Sequence, residues 1–225
     1  MTAPETRQDD AVVAVRKVTA VLGGTPVLAP VSFKVRAGQA ATLVGSNGAG
    51  KTTLLRILAG VLKPASGEAR VGGAPVDEKD PSFRALVAAL IGPPPLASNL
   101  TLEEHFALVA VSWGMSASDG RDRGMRVLEA FEVGALASRF PHELSSGQGQ
   151  MAALALTLTR PCDVVLLDEP EQRLDDERVG ILARLLEEER EDGAALVVAS
   201  HSARLRDALT GPTVRLREVG RRDGG

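Results

Sequence analysis

The sequence predicts an α/β protein: a parallel β-sheet covered by helices, with antiparallel hairpins in its N-terminal part and an inserted helical subdomain. Three observations support this fold class. Short continuous apolar runs, typical of strands buried on both faces, alternate with amphipathic helical patterns. A glycine-rich loop follows the first of these runs and leads directly into a helix. A purely helical stretch at about residues 96–145 then interrupts the alternation.

Composition limits the classes of protein that fit. The 225 residues suit one large domain with an insert, and 44% are hydrophobic while only 3% are aromatic, so the core must be mostly aliphatic. A net charge of −3 gives no reason to expect a nucleic-acid partner. No apolar run approaches the roughly 18 residues that a membrane-spanning helix needs. We therefore expect any membrane association to come through a partner.

The N-terminal half is predicted to be rich in strands. Gly23–Pro26 is a turn signal between two short strands, and Gly60 is placed as the C-terminal stop of the helix after the glycine loop. The predicted elements are strands at Ala11–Val15, Val31–Val35 and Ala40–Val44, a helix at Lys51–Ala59, and a hairpin at Gly67–Val76. The first ten residues are polar and are expected to form a disordered tail.

The C-terminal half returns to strand–helix alternation after the helical patterns between Leu102 and Ala137. Two buried strands flank one charged amphipathic helix, an order that favours parallel pairing. The predicted elements are strands at Val164–Leu167 and Ala194–Ala199 and a helix at Asp176–Arg190. The whole is predicted to be a single domain at residues 11–215, followed by a flexible tail at 216–225.

The glycine-rich loop matches the phosphate-binding pattern G-x-x-x-x-G-K-[ST] in full and lies between a predicted strand and a helix. Its residues are Gly45, Ser46, Asn47, Gly48, Ala49, Gly50, Lys51 and Thr52, and we include the following Thr53 in the predicted nucleotide site. The glycines allow successive backbone N–H groups to point at phosphates, and the helix N-terminus adds partial positive charge. Lys51 is a cation for the β- and γ-phosphates, and the Thr52 hydroxyl suits Mg²⁺. The pattern predicts a P-loop NTPase that binds ATP.

A second motif lies about 120 residues further on, where the apolar run Val164–Leu167 ends in Asp168 and Glu169. A carboxylate at the end of a buried strand suits Mg²⁺ beside the phosphates, so Asp168 is the predicted metal ligand together with Thr52. The adjacent Glu169 is a candidate general base for the attacking water. Alone, this motif is also compatible with an ordinary acidic strand end.

Between these motifs, Leu144-Ser145-Ser146-Gly147-Gln148 resembles the Leu-Ser-Gly-Gly-Gln signature of ABC (ATP-binding cassette) transporter nucleotide-binding subunits. The resemblance spans about residues 11–209. It implies that Ser145, Gly147 and Gln148 form an anion site that closes over the γ-phosphate of an opposite subunit. Without that resemblance, the segment is also compatible with a simple helix cap.

Further motifs follow in the family's order. Leu174-Asp175 resembles the D-loop, and His201 resembles the switch histidine that contacts the γ-phosphate, so the resemblance makes Glu169 and His201 the catalytic candidates. The resemblance implies a cytoplasmic ATPase that forms a homodimer or heterodimer around two ATP. The resemblance also implies that this ATPase drives a separate permease and binds to it on the inner face of the cell membrane.

Four positions depart from the family pattern. Leu22 occupies the place of the aromatic residue that stacks on adenine, so the aromatic contact is lost while apolar cover is kept. Gly92–Pro95 occupies the place of the glutamine loop and has no Gln or Glu. Ser146 replaces a signature glycine, which is costly only if its φ is positive. The helix at Met151–Thr159 lacks the family's arginines.

Two other functions remain open from the sequence: a soluble cassette ATPase not coupled to transport, and a degenerate ATP-sensing module. The overall pattern leans toward an exporter-type energy subunit that hydrolyses ATP.

Overall fold

The computed structural model describes residues 11–94 and 96–220, so the predicted tail at residues 1–10 lies outside the described residues. Within them, two β-sheets form the frame of an α/β fold, which confirms the predicted class. The strands are β1 Ala11–Leu22, β2 Thr25–Arg36, β3 Ala40–Val44, β4 Ser66–Val71, β5 Ala74–Pro75, β6 Val87–Leu90, β7 Val164–Asp168, β8 Ala195–Ala199 and β9 Thr213–Arg215. Among the described residues, no helix combines the length and apolarity needed to cross a bilayer.

The helices lie on and between these sheets. They are α1 Lys51–Leu58, α2 Pro81–Leu86, α3 Leu102–Ser112, α4 Ala117–Ala130, α5 Ser146–Thr159, α6 Asp176–Glu191 and α7 Ala203–Ala208, with short 3₁₀ turns at Gly134–Ser138 and Pro141–Glu143. Helices α3 and α4 form the inserted helical region between β6 and α5, as the pattern predicts. Capping explains where α3 begins: Thr101 and Glu104 form a reciprocal capping box at its first turn.

The antiparallel sheet has the strand order β2–β1–β4–β5, and the parallel sheet has the order β6–β7–β8–β3–β9. Strands β1 and β2 are 12 residues each, much longer than predicted, because several register shifts let pairing continue past residues that break the alternation. Sequence patterns missed β6 and β9, since both are edge strands of three or four residues.

The core consists of two apolar layers on opposite faces of the parallel sheet. Alternate residues of β7 divide between them: Val165 and Leu167 pack on the helical insert, whereas Val164 and Leu166 pack toward α1 and the antiparallel sheet. This explains why β7 reads as one uninterrupted apolar run.

One predicted boundary is corrected. The C-terminal tail was predicted to begin at residue 216, but the Leu216 side chain is only 5% exposed. Its backbone N–H also donates to the Val44 carbonyl at 2.8 Å. Hydrophobic burial beside the phosphate loop therefore keeps this residue in the domain.

Candidate functional site

The strand order of the parallel sheet brings three loops together at the carboxyl ends of their strands. β8 lies between β3 and β7, with Ala199 opposite both Leu43 and Asp168. The loops that follow these strands carry the glycine-rich motif, Glu169 and His201. In parallel sheets this edge is where ligands bind, so the topology alone assembles the predicted site.

The phosphate loop opens onto a cleft of about 380 Å³. Six of its predicted residues line this cleft, together with Val27 and Glu169: they are Asn47, Gly48, Gly50, Lys51, Thr52 and Thr53. Lys51 is only 6% exposed, and its Nζ donates to the carbonyls of Gly45 and Ser46 at 2.9 and 3.2 Å. The cation is therefore already held over the loop.

The other three predicted loop residues, Gly45, Ser46 and Ala49, do not line the cleft, and the backbone of the loop is shaped by Ala49, Ser46 and Gly50. Ala49 is 1% exposed, and its N–H closes a turn onto the Ser46 carbonyl. Ser46 also donates its hydroxyl to Glu218 at 2.5 Å. Gly50 has φ = 93°, and a Cβ there would lie 2.6 Å from the Val27 carbonyl oxygen. A side chain at position 50 would thus distort the cradle.

Thr52 and Asp168 supply oxygen atoms that suit Mg²⁺. The Thr52 hydroxyl donates to Asp168 Oδ2 at 2.6 Å. Burial raises the pKa of Asp168, an effect that the Thr52 hydrogen bond opposes, so a cation here would relieve the cost of the buried charge. Among the described residues no cluster of three or more acidic, His or Cys side chains forms. The ion would take its other ligands from phosphate and water, as Mg²⁺ commonly does.

Glu169 and His201 lie in direct contact. His201 Nε2 is 3.2 Å from Glu169 Oε1, and Gln172 Nε2 donates to the other carboxylate oxygen. Glu169 has φ = 48°, a left-handed conformation that costs a non-glycine residue about 1–3 kcal/mol and often marks functional sites. Its N–H still pairs with Ala199, which anchors the turned residue to β8. The structure therefore brings together the two side chains predicted to be catalytic.

The segment Ser145–Gln148 begins α5 as a reciprocal capping box. Gln148 N–H donates to Ser145 Oγ at 3.3 Å, and Ser145 N–H donates to Gln148 Oε1 at 2.9 Å. None of the described residues of this segment lines the phosphate cleft. Within one chain it is a helix cap, and the Gln148 N–H predicted to face an anion is used by Ser145. Gly147 N–H lies in the first turn, where intrahelical partners are lacking.

Comparison with known proteins agrees with this arrangement. The sequence model of the family described as ABC transporter matches residues 28–172. This chain belongs to the ABC transporter family. It is 32% identical over 186 residues to the energy-coupling factor transporter ATP-binding protein EcfA of Methanothermobacter thermautotrophicus, covering 81% of this chain and 60% of that relative. It is 34% identical over 192 residues to the cytochrome c biogenesis ATP-binding export protein CcmA of Rhodospirillum rubrum, covering 85% and 80%.

Solved structures show the same cassette fold. A structure described as the ATP-binding subunit of an ABC transporter superposes with a TM-score of 0.82 at 27% identity, covering 91% of this chain and 85% of that one. The ATP-binding cassette MJ0796, described as a dimer in a post-hydrolysis state bound to ADP and Pi, gives 0.80 at 25% identity, covering 91% and 94%. The chain spans only 60% and 66% of the length of two of its curated ABC relatives.

Two departures from the ABC pattern have a structural outcome. Ser146 is the first residue of α5 and is not among the residues with positive φ, so replacing the signature glycine carries no backbone strain. The stretch at residues 92–94 lines a second cleft, of about 340 Å³, that it shares with Glu169 and Gln172. From the loop after β7, the Gln172 side-chain amide donates to the Glu169 carboxylate, the group predicted to be the general base.

Leu22 ends β1 beside the hairpin turn and is 43% exposed. It is not among the residues that line the phosphate cleft, where Val27 provides the apolar wall. Its predicted contact with the base stays a prediction. Val27 could not be predicted from the sequence, because one aliphatic residue in a strand carries no distinguishing pattern.

Proposed function

We propose that this chain is the ATP-hydrolysing energy subunit of an ABC transporter. The observation that carries the proposal is the contact between Glu169 and His201 at the mouth of a complete phosphate loop. A degenerate sensor would not need a carboxylate and an imidazole held together beside the phosphates. A single ATPase domain, predicted at residues 11–215 and extended by the buried Leu216, is part of this proposal.

The residues divide the work by position. The P-loop backbone and Lys51 hold the phosphates of ATP, and Leu22 covers the base. Thr52 and Asp168 hold Mg²⁺, which when bound screens the phosphate charge during transfer. Glu169 accepts a proton from the attacking water, and His201 orients the γ-phosphate and the carboxylate. Attack by that water gives ADP and phosphate.

The proposed assembly is a dimer around two ATP, a homodimer or a pair with a related subunit. Ser145, Gly147 and Gln148 of one copy then face the phosphates bound by the other. None of these three residues lines the phosphate cleft of its own chain, and Ser145 lies in the neighbouring cleft beside Glu169, which leaves contact with phosphate to another copy. The dimeric state of the similar cassette MJ0796 supports the proposal as well.

The proposed partner is a separate permease, which would hold the chain at the inner face of the cell membrane. The similar protein cbiO1 of Clostridium perfringens is described as part of the transporter complex cbiONQ. Relatives described as export protein CcmA and hemin import protein HmuV are equally similar, at 36% identity. Direction therefore follows from the permease, and the leaning toward an exporter stays a prediction.

The decisive test of hydrolysis is Glu169→Gln. Removing a general base lowers turnover by about 10²–10⁴-fold while ATP binding, which uses the P-loop, persists. Phosphate release with Mg²⁺ and ATP affinity are measured together. Glu68→Gln, an exposed acid on β4 paired with Arg70, is the matched control and should turn over like the wild type. Equal rates for Glu169→Gln and the wild type would refute the catalytic assignment.

The partner is tested by a tagged pull-down from solubilised membranes. Leu108 and Val111 on α3 are apolar yet 56% exposed, which supports docking beside the helical insert. The double variant Leu108→Glu/Val111→Glu should no longer co-purify with a protein of several membrane spans, while ATP turnover in the isolated subunit stays unchanged. Recovery of a ribosome or nucleic acid in its place would favour the soluble cassette ATPase.

A further inference from the structure

Glu171 connects the loop after β7 to the loop after β8 through one carboxylate oxygen. Its Oε1 accepts hydrogen bonds from the Ser200 hydroxyl at 2.6 Å, the His201 N–H at 2.8 Å and the Ser202 N–H at 3.0 Å. These partners are 29–31 residues away in the sequence. The donors thus include the backbone N–H groups of the predicted switch histidine and of the residue after it.

The contact fixes the switch histidine by its main chain rather than by its ring. Ser200 is only 1% exposed, and its hydroxyl oxygen also accepts from Ser202 N–H at 3.0 Å. A network of this density leaves the His201 backbone little freedom, because three donors converge on one acceptor. The imidazole remains half-exposed and reaches Glu169 from that fixed base.

The other end of the network is anchored to the general base itself. Glu171 is two residues after Glu169, and the intervening turn is closed by Gln172 N–H donating to the Glu169 carbonyl at 3.0 Å. The loop therefore carries both the base and the carboxylate that holds its partner. A shift of this loop would move Glu169 and His201 together.

We infer that Glu171 is a positioning residue for hydrolysis, setting the relation between Glu169 and His201. This inference rests on the proposed ATPase function and adds a residue that does not line the phosphate cleft. A displacement of about 1 Å in a catalytic pair costs up to roughly 100-fold in rate, so the loss of this clamp should be visible in turnover.

The test compares Glu171→Ala with Glu171→Gln. Alanine removes the acceptor, and kcat should fall about tenfold or more while KM for ATP stays within about twofold, because the P-loop is untouched. Glutamine keeps an acceptor oxygen for the three donors and places its amide where the buried Oε2 has no hydrogen-bond partner. It should restore kcat to within about threefold of the wild type.

Two further measurements distinguish a positioning role of Glu171 from a purely structural one. Glu104→Ala removes a carboxylate that also accepts a backbone N–H, in the capping box of α3, and should lower the melting temperature without changing kcat. Glu171→Ala combined with His201→Ala should be no slower than His201→Ala alone, since both changes break one unit.

The outcomes are distinct. Wild-type turnover in Glu171→Ala, or rate losses that multiply with His201→Ala, would overturn the inference. If Glu171→Ala does not fold, Ser200→Ala removes one of the three donors instead. It should lower kcat about two- to threefold with KM unchanged, and a wild-type kcat would equally overturn the inference. The wild type and Glu169→Gln are assayed in the same series: a wild type that releases no phosphate from ATP refutes the proposed function, whereas normal turnover in Glu169→Gln refutes only the catalytic assignment of Glu169.

Discussion

The phosphate loop and the signature segment are both turns that lead into a helix, but they differ in the contacts that their side chains make with other parts of the chain. At the phosphate loop, contacts with other parts of the same chain assemble the site: Lys51 is buried, Thr52 bonds to Asp168, and Gly50 packs on Val27. At the signature, the side chains of Ser145 and Gln148 bond to each other's backbone N–H groups within the cap of α5. In the proposed dimer, one half of the active site is built within a chain and the other half comes from a second copy.

The largest effect is expected from a substitution in the phosphate loop. Lys51→Ala removes a buried cation that holds phosphates, at a cost of about 2–5 kcal/mol, or roughly 30-fold or more in the Kd for ATP. Hydrolysis should be lost with binding. Titration with a fluorescent ATP analogue measures the affinity, and Lys63→Ala serves as a control for the loss of one positive charge. Unchanged affinity in Lys51→Ala would mean that the phosphates bind elsewhere.

The signature segment is best challenged with Ser145→Asp. Aspartate caps a helix as well as serine does, so α5 and the monomer should keep their stability. Its negative charge should repel the phosphates held by the partner copy and weaken ATP-dependent dimerisation by about tenfold or more. Ser145→Ala is the complementary variant: it loses about 1 kcal/mol of cap without adding charge. Analytical ultracentrifugation with ATP separates the two effects.

Mixing two inactive variants tests whether the phosphate loop of one chain works with the signature segment of another. Equal amounts of Lys51→Ala and Ser145→Asp form mixed dimers in which one site has an intact P-loop and an intact signature. Turnover should rise from near zero to about one quarter of the wild-type value, because half of the dimers carry one good site out of two. No recovery on mixing would mean that each chain hydrolyses ATP alone.

The smallest effect concerns stability at the metal position. Burial raises the pKa of Asp168 above its ordinary value, so the folded state favours the protonated carboxyl. The stability that this preference contributes is present below the ordinary pKa of aspartate and is lost as pH rises through the higher folded value. Asp168→Asn should therefore melt slightly above the wild type at pH 7, while Mg²⁺-dependent turnover is lost.

Asp175→Asn provides a control of opposite sign. Hydrogen bonding from the Arg178 backbone N–H lowers the pKa of Asp175, so its stabilisation is present at neutral pH and is lost as pH falls through the folded value. This variant should melt below the wild type at pH 7, and the gap should close in acid. Thermal scans between pH 3 and 7, without nucleotide, compare both. A melting temperature of Asp168→Asn that stays below the wild type at all pH values would contradict the burial argument.

Much of the fold was predictable because it depends on local patterns. The buried strands β3, β7 and β8 read as apolar runs, and the start of α1 follows from the glycine loop. The short edge strands β6 and β9 were not predicted, since three or four residues show no clear period. The boundary at Leu216 was wrong because its burial depends on contact with β3, more than 170 residues earlier.

The sequence by itself determined the chemistry available to this protein. It placed a lysine and a threonine on a glycine loop, two carboxylates at the end of a buried strand, and a histidine after the next strand. Spacing along the chain was enough, because strand order and parallel pairing bring those ends to one edge.

Only the tertiary structure decided how these groups are held. The loop after β7 is shaped by the left-handed turn at Glu169 and by the Gln172 amide on its carboxylate. The Glu171 bonds to residues 200–202 join this loop to one about 30 residues away. Such contacts depend on backbone dihedrals and strand register, which a linear pattern does not record. The signature segment shows the same division: its helix cap is local, while its proposed partner, the nucleotide site of a second copy, lies on another chain.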